Sequence, residues 1–145
     1  MVRRIAWVFV LTGLAIFAGL TLLLLSPESR VRIPAITAMV TFCAVLISYL
    51  GGIEGGLALR EEAGNERTRA ISLGLSILPA IAAWSVYWLP SPQWQLGASI
   101  AIFVAVWVAD LWLARQGLIP AWFVDLRTAA TATVCVILGF ALWLL

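Results

Sequence analysis

Residues 5–25 read IAWVFVLTGLAIFAGLTLLLL, 21 consecutive positions without a charged side chain. A helix needs about 20 such residues to cross a hydrocarbon layer of about 30 Å. The run is too long for the apolar core of a secretion signal, which has about 7–15 residues, and no cleavage motif of small residues follows it. We therefore expect it to remain in the protein as a first membrane-spanning helix.

Four further stretches have the same character, and prolines, glycines or charged residues separate them, as expected of short connections. The apolar residues run continuously and do not alternate with polar ones, which disfavours a β-barrel. The sequence therefore predicts an all-α polytopic bundle of five transmembrane helices, forming a single membrane domain over residues 1–145. The predicted spans are 5–25, 34–59, 70–89, 94–114 and 123–145.

The composition excludes several classes of function. Of the 145 residues, 63% are hydrophobic and 11% are charged, whereas a soluble domain carries about 25% charged residues. The net charge of +2 is too small to indicate a nucleic-acid partner. Histidine is absent and Cys43 and Cys135 lie in separate apolar runs, so we expect no metal site, no cofactor and no disulfide framework. Without a nucleophile elbow, a phosphate-binding loop or an HExxH motif, we expect no enzymatic activity; an intramembrane hydrolase using Asp110 and Glu54 is the enzymatic alternative.

The arginines predict the orientation of the spans. Seven arginines share the side of the N-terminus, whereas only Arg30 and Arg32 lie on the other side. The positive-inside rule therefore places the N-terminus in the cytoplasm and the C-terminus outside, and we expect a multi-pass protein of a bacterial cytoplasmic membrane. Six tryptophans near span ends are expected to be interfacial anchors, with Trp84 and Trp107 deeper; the six are Trp7, Trp88, Trp94, Trp112, Trp122 and Trp143.

Three ionisable side chains inside the predicted spans are the candidate site: Glu54, Asp110 and Arg127. Each lies four or five residues from the cytoplasmic end of its span, about 6–8 Å below the membrane boundary at 1.5 Å per residue. Inserting an aspartate into the membrane at a helix centre costs roughly 2.5–3.5 kcal/mol on insertion scales. A charged residue inside a span therefore indicates a structural or functional role. Because the three side chains lie at the same depth, we expect them to form one polar cluster between the helices. Trp107 would lie one helical turn from Asp110.

The cluster has three interpretations. Its members lock helices together by pairing with one another or with Arg60 and Arg115, or they point into different interfaces. In the third interpretation they line a cytoplasm-facing cavity in which Glu54 binds a proton, a cation or a polar ligand.

Glycines surround Glu54 at helical spacing, as the pairs Gly51/Gly55 and Gly52/Gly56. Small residues four apart let helices approach closely, so both pairs predict helix packing. A locally unwound helix that presents backbone carbonyls to a ligand is the alternative. In the third span, Pro79 removes a helical hydrogen bond and predicts a kink.

Four segments carry a resemblance to a known family: YLGGIEGGLAL at 49–59, LPAIAAW at 78–84, DLWLARQGL at 110–118, and PAWF with Leu126 and Arg127 at 120–127. Together they resemble the transmembrane-protein-69-like domain of unknown function, found in small bacterial and mitochondrial membrane proteins. The resemblance implies one layer of interest toward the cytoplasm or matrix, and it supplies no activity. That layer contains Glu54, Trp84, Asp110, Trp122 and Arg127. In that family the glycine segment typically continues Gly-Gly-Ile-His-Trp-Gly, and here Glu54 and Gly55 stand at the His and Trp positions.

Three functions remain open. The small size and the missing catalytic groups favour a non-enzymatic accessory or assembly subunit of a membrane complex. A small proton- or ion-linked transporter or channel would use Glu54, Asp110 and Arg127, as an oligomer because five short helices enclose little volume. A ligand-binding sensor would resemble the tryptophan-rich five-helix sensory proteins that hold porphyrins or sterols. The expected partners are the lipid bilayer and other membrane subunits or further copies of the chain.

Overall fold

The computed structural model describes residues 2–59 and 65–145, which form six α-helices and one 3-10 turn. Together these elements make five spans that are long and apolar enough to cross a membrane, which confirms the predicted all-α bundle. The elements are α1 Val2–Leu24, α2 Ser29–Ala58, α3 Glu66–Leu75, α4 Leu78–Ser85 with the 3-10 turn Val86–Trp88, α5 Pro92–Arg115 and α6 Ala121–Leu144.

The second span begins earlier than predicted, at Ser29 and not at Pro34. Arginines at the start of a span can extend their charged ends to the headgroups, so Arg30 and Arg32 do not end the helix. The guanidinium of Arg32 also donates a hydrogen bond to the carbonyl of Leu144 at the end of α6. This contact ties the beginning of the second span to the end of the fifth.

The third span is broken into two helices, a stronger effect than the predicted kink. α3 ends at Leu75 and α4 begins at Leu78, because Pro79 has no N–H to donate to the Leu75 carbonyl and its ring crowds that carbonyl. Residues 60–64 of the predicted charged connection lie outside the described residues. Directly after these residues, Asn65 caps the start of α3 by accepting a hydrogen bond from the Thr68 N–H at 2.8 Å.

Helix α2 lies at the centre of the packing. It contacts α1, α3, α4 and α5, and α6 closes the bundle between α1 and α5. We call the end where α1 begins and α2 ends the arginine-rich end. The main hydrophobic core fills the bundle from its middle to the opposite end, which leaves the half near the arginine-rich end for polar groups. Its largest fully buried side chains are Phe17, Met39, Ile47, Leu96 and Leu138.

Candidate functional site

The three ionisable residues form a charged layer, with Glu54 on α2, Asp110 on α5 and Arg127 on α6. Helix α5 packs against both α2 and α6, and each residue lies within about two turns of its helix end. Their exposed fractions are 5%, 2% and 6%. Glu54 is within electrostatic reach of both Asp110 and Arg127. The three side chains of the charged layer are therefore buried inside the protein.

Asp110 and Arg127 form a buried ion pair across the α5–α6 interface. The Nε of Arg127 donates to Asp110 Oδ2 at 2.6 Å, and Nη2 lies 2.6 Å from the same oxygen. Charge-assisted hydrogen bonds of this kind are short and strong. Helices α5 and α6 are thus joined by a contact that neutralises one acid of the charged layer.

Among the described residues, which do not include the predicted partner Arg60, Glu54 has no cation of its own. Its Oε1 atom is buried and has no hydrogen-bond partner among the residues that the structure describes. The neighbouring guanidinium is already bound to Asp110. Most buried polar groups in proteins are hydrogen-bonded, so an unpartnered buried carboxyl oxygen requires an explanation.

An apolar plug separates the charged layer from the arginine-rich end. It consists of Leu113, Leu118 and Ile119, against which Leu57 and Phe123 pack. Leu57 and Leu113 each follow an acid of the charged layer by one helical turn, and Phe123 precedes Arg127 by one turn.

The end of α5 positions the plug. Gly117 has a φ of 77°, in the left-handed region that glycine adopts at helix ends. Its N–H bonds the Ala114 carbonyl at 3.0 Å, and the Leu118 N–H bonds the Leu113 carbonyl at 3.1 Å. These two bonds form a Schellman motif, which brings Leu118 against Leu113. The span boundaries predicted only a connection at residues 115–122, although a glycine followed by leucine after a helix is the signal for this motif.

The main core lies on the other side of the charged layer. Val106 on α5 and Thr131 on α6 are buried about one helical turn from the ion pair, toward that core. The charged layer therefore lies between two apolar clusters, and the smaller one is toward the arginine-rich end.

The two glycine pairs differ in what they contact. A side chain on Gly51 would meet the Ser76 carbonyl oxygen and the Pro79 ring, and a Cβ on Gly55 would lie 2.9 Å from Ser76 Oγ. These two glycines let α2 approach the break in the third span. A Cβ on Gly52 or Gly56 would meet no described atom within 4 Å, so the packing expected of that pair is not found, because it lies on the exposed face of α2.

The predicted aromatic residues are dispersed. Trp107 is half-buried and its Nε1 donates to Thr128 Oγ1 at 2.9 Å, a second side-chain contact between α5 and α6. Trp122 lies near the start of α6 with its ring edge-on to Phe123, at the plug. Trp84 is 62% exposed and packs against Trp88, so the structure does not bring it into the charged layer.

A family model described as a protein of unknown function, DUF3429, matches residues 2–143. Comparison with curated proteins and with solved structures found no match. The family match extends over nearly the whole chain and supports the expectation of a domain of unknown function. The narrower resemblance to transmembrane-protein-69-like proteins stays a prediction.

Proposed function

We propose that this chain, which belongs to the DUF3429 family, is a proton-linked membrane protein in which Glu54 takes up and releases a proton. One observation carries the proposal: Glu54 Oε1 is buried without a hydrogen-bond partner among the described residues. An ionised carboxylate with a buried oxygen that no described donor or cation contacts is costly. Binding a proton removes that cost.

The surroundings of Glu54 favour a proton over a larger cation. Calcium takes six to eight oxygen ligands, and magnesium demands octahedral geometry. In the charged layer the nearest other acid, Asp110, is bound to Arg127, so it is not free to act as a second ligand. A proton needs only one oxygen.

The ion pair has a supporting role in this proposal. Because Arg127 is bound to Asp110, it donates no hydrogen bond to Glu54. The charged layer then carries one excess negative charge when Glu54 is ionised and none when Glu54 is protonated. Such a change of charge in an enclosed layer is able to drive a rearrangement of the helices around it.

The path of the proton follows from the arrangement of the apolar regions. The plug of Leu113, Leu118 and Ile119 is a smaller apolar cluster than the main core on the other side of the charged layer. We therefore assign exchange to the arginine-rich end. By the positive-inside rule that end faces the cytoplasm, and we place the protein in a bacterial cytoplasmic membrane.

Transport or channel activity in an oligomer is the function that a proton-binding Glu54 supports best. The accessory-subunit role, expected from the small size and the missing catalytic groups, stays a prediction that co-purification in mild detergent would test. An unpartnered buried acid contributes nothing to a purely structural role, and this favours the proton-linked function.

The test is proton binding in liposomes containing the full chain. A neutral carboxyl group and a carboxylate absorb at different infrared frequencies, so difference spectra between two pH values report the protonation of a buried acid. We expect a buried-carboxyl signal in the wild type that Glu54→Gln removes. Asp125→Asn is the matched control, because Asp125 is exposed near the same end of α6.

Proton flux into the same liposomes, measured with an entrapped pH-sensitive dye and with charge compensation by a potassium ionophore, tests transport itself. We expect flux in the wild type and in Asp125→Asn, and background flux in Glu54→Gln. An unchanged flux and an unchanged carboxyl signal in Glu54→Gln would refute the proposal.

A further inference from the structure

A groove of about 570 Å³ lies between α1, α2 and α6. It follows α1 from Val2 to Phe17, about 22 Å of helix at 1.5 Å per residue. Its lining is apolar except for Tyr49, Arg127 and Thr131. A volume of this size is within the range of sites for small ligands, about 300–1,000 Å³.

Two small residues of α1, Ala6 and Gly13, are among the residues that line the groove. A Cβ on Gly13 would meet no described atom within 4 Å. Phe9 also borders the groove and is 70% exposed. The groove is thus open along its side, where the bundle meets lipid.

From this geometry we propose that the groove binds one anionic phospholipid, with an acyl chain along Gly13 and the phosphate at Arg3 and Arg4. The apolar lining fits an acyl chain, which the surrounding bilayer supplies. Arg3 and Arg4 are exposed in the first turn of α1, at the end of the groove where Val2 and Ile5, their neighbours in the sequence, line it.

The charges select the headgroup. Basic residues beside a transmembrane helix attract anionic lipids in the leaflet that they face. The other arginine of the groove, Arg127, is bound to Asp110, so we assign the phosphate to Arg3 and Arg4. A zwitterionic lipid or a second copy of the chain are the competing occupants, and the experiment separates them.

The experiment is native mass spectrometry of the full chain, released from liposomes that contain equal amounts of phosphatidylglycerol and phosphatidylcholine. Gly13→Leu places a side chain in the groove at a position where a Cβ would meet no described atom within 4 Å. Gly19→Leu is the matched control: Gly19 is on the same helix, equally without neighbours and outside the groove lining. Arg3→Gln with Arg4→Gln tests the headgroup site, with Arg67→Gln at the same end as its control.

We expect the wild type to retain one phosphatidylglycerol per chain, at least five-fold in preference to phosphatidylcholine. Gly13→Leu should lower the lipid-bound fraction at least five-fold, and Gly19→Leu should not change it. The double arginine variant should lower the preference to about one, and Arg67→Gln should keep it.

Three results would overturn the proposal. The first is equal retention in Gly13→Leu and the wild type, and the second is no preference between the two lipids in the wild type. The third is a lipid-free dimer that Gly13→Leu dissociates, which would identify a second copy as the occupant. None of these readouts involves Glu54, so the lipid site and the proton site succeed or fail separately.

Discussion

Replacing Arg127 with methionine removes the cation of the buried ion pair and keeps most of the length of the side chain. Asp110 is 2% exposed and bound to Arg127, so the variant leaves a buried acid without its partner. Breaking a buried pair by removing one member costs about 3–5 kcal/mol. Since domains are usually stable by only about 5–15 kcal/mol, this is a large loss.

Removing both charges should recover most of that loss. Replacement of a buried ion pair by apolar residues of similar volume is often neutral or stabilising by about 1–4 kcal/mol. The double variant Asp110→Leu with Arg127→Met is therefore expected to be close to the wild type in stability. Asp110→Leu alone should cost less than Arg127→Met, because the freed guanidinium has Glu54 within electrostatic reach.

The assay is unfolding in mixed micelles with increasing sodium dodecyl sulfate, followed by circular dichroism and tryptophan fluorescence. The four proteins form a double-mutant cycle, which isolates the coupling between the two side chains. A loss below about 1 kcal/mol in Arg127→Met would contradict the assigned cost of the unpaired acid. So would a double variant as unstable as that single variant, because the loss would then come from packing and not from an unpaired charge.

Two further variants test the packing around the site. Gly51→Ala should destabilise the bundle by about 1–3 kcal/mol, because its Cβ would meet the Ser76 carbonyl and the Pro79 ring. The control Gly52→Ala should be neutral or slightly stabilising, since no described atom lies within 4 Å of a Cβ at that site. The same mixed-micelle unfolding measures both variants, and equal effects would contradict the assigned contact. Leu118→Ala should open the plug and speed hydrogen–deuterium exchange at the Glu54 carboxyl, measured by infrared spectroscopy, with Leu22→Ala on the exposed face of α1 as the control. An exchange rate equal to that of the wild type would show that the plug is not the barrier.

Much of the fold could be predicted because membrane helices need long apolar stretches. The five apolar stretches located the spans to within a few residues. The exception is the start of α2, which the sequence placed after Arg30 and Arg32 and the structure places before them. Counting residues from the span ends also predicted that Glu54, Asp110 and Arg127 share one depth. Depth follows from the rise per residue, which varies little between helices.

The rotation of each helix about its axis could not be predicted in the same way. Gly51 and Gly52 differ by one position, which is about 100° around a helix of 3.6 residues per turn, yet only Gly51 meets the third span. Trp84, which the resemblance placed in the charged layer, is exposed and lies near the opposite end of the third span, so its depth also keeps it from that layer.

The order of amino acids is enough to specify that the chain forms membrane helices, how many there are, and at which depth its buried charges lie. Each of these follows from composition and from the length of a helix. The packing of the helices in three dimensions was needed to establish that Asp110 takes the guanidinium, that Glu54 is left without a described partner, and that Leu118 closes the layer. Those outcomes depend on which faces of neighbouring helices meet, and in a sequence that is apolar on every side no periodic pattern records those faces.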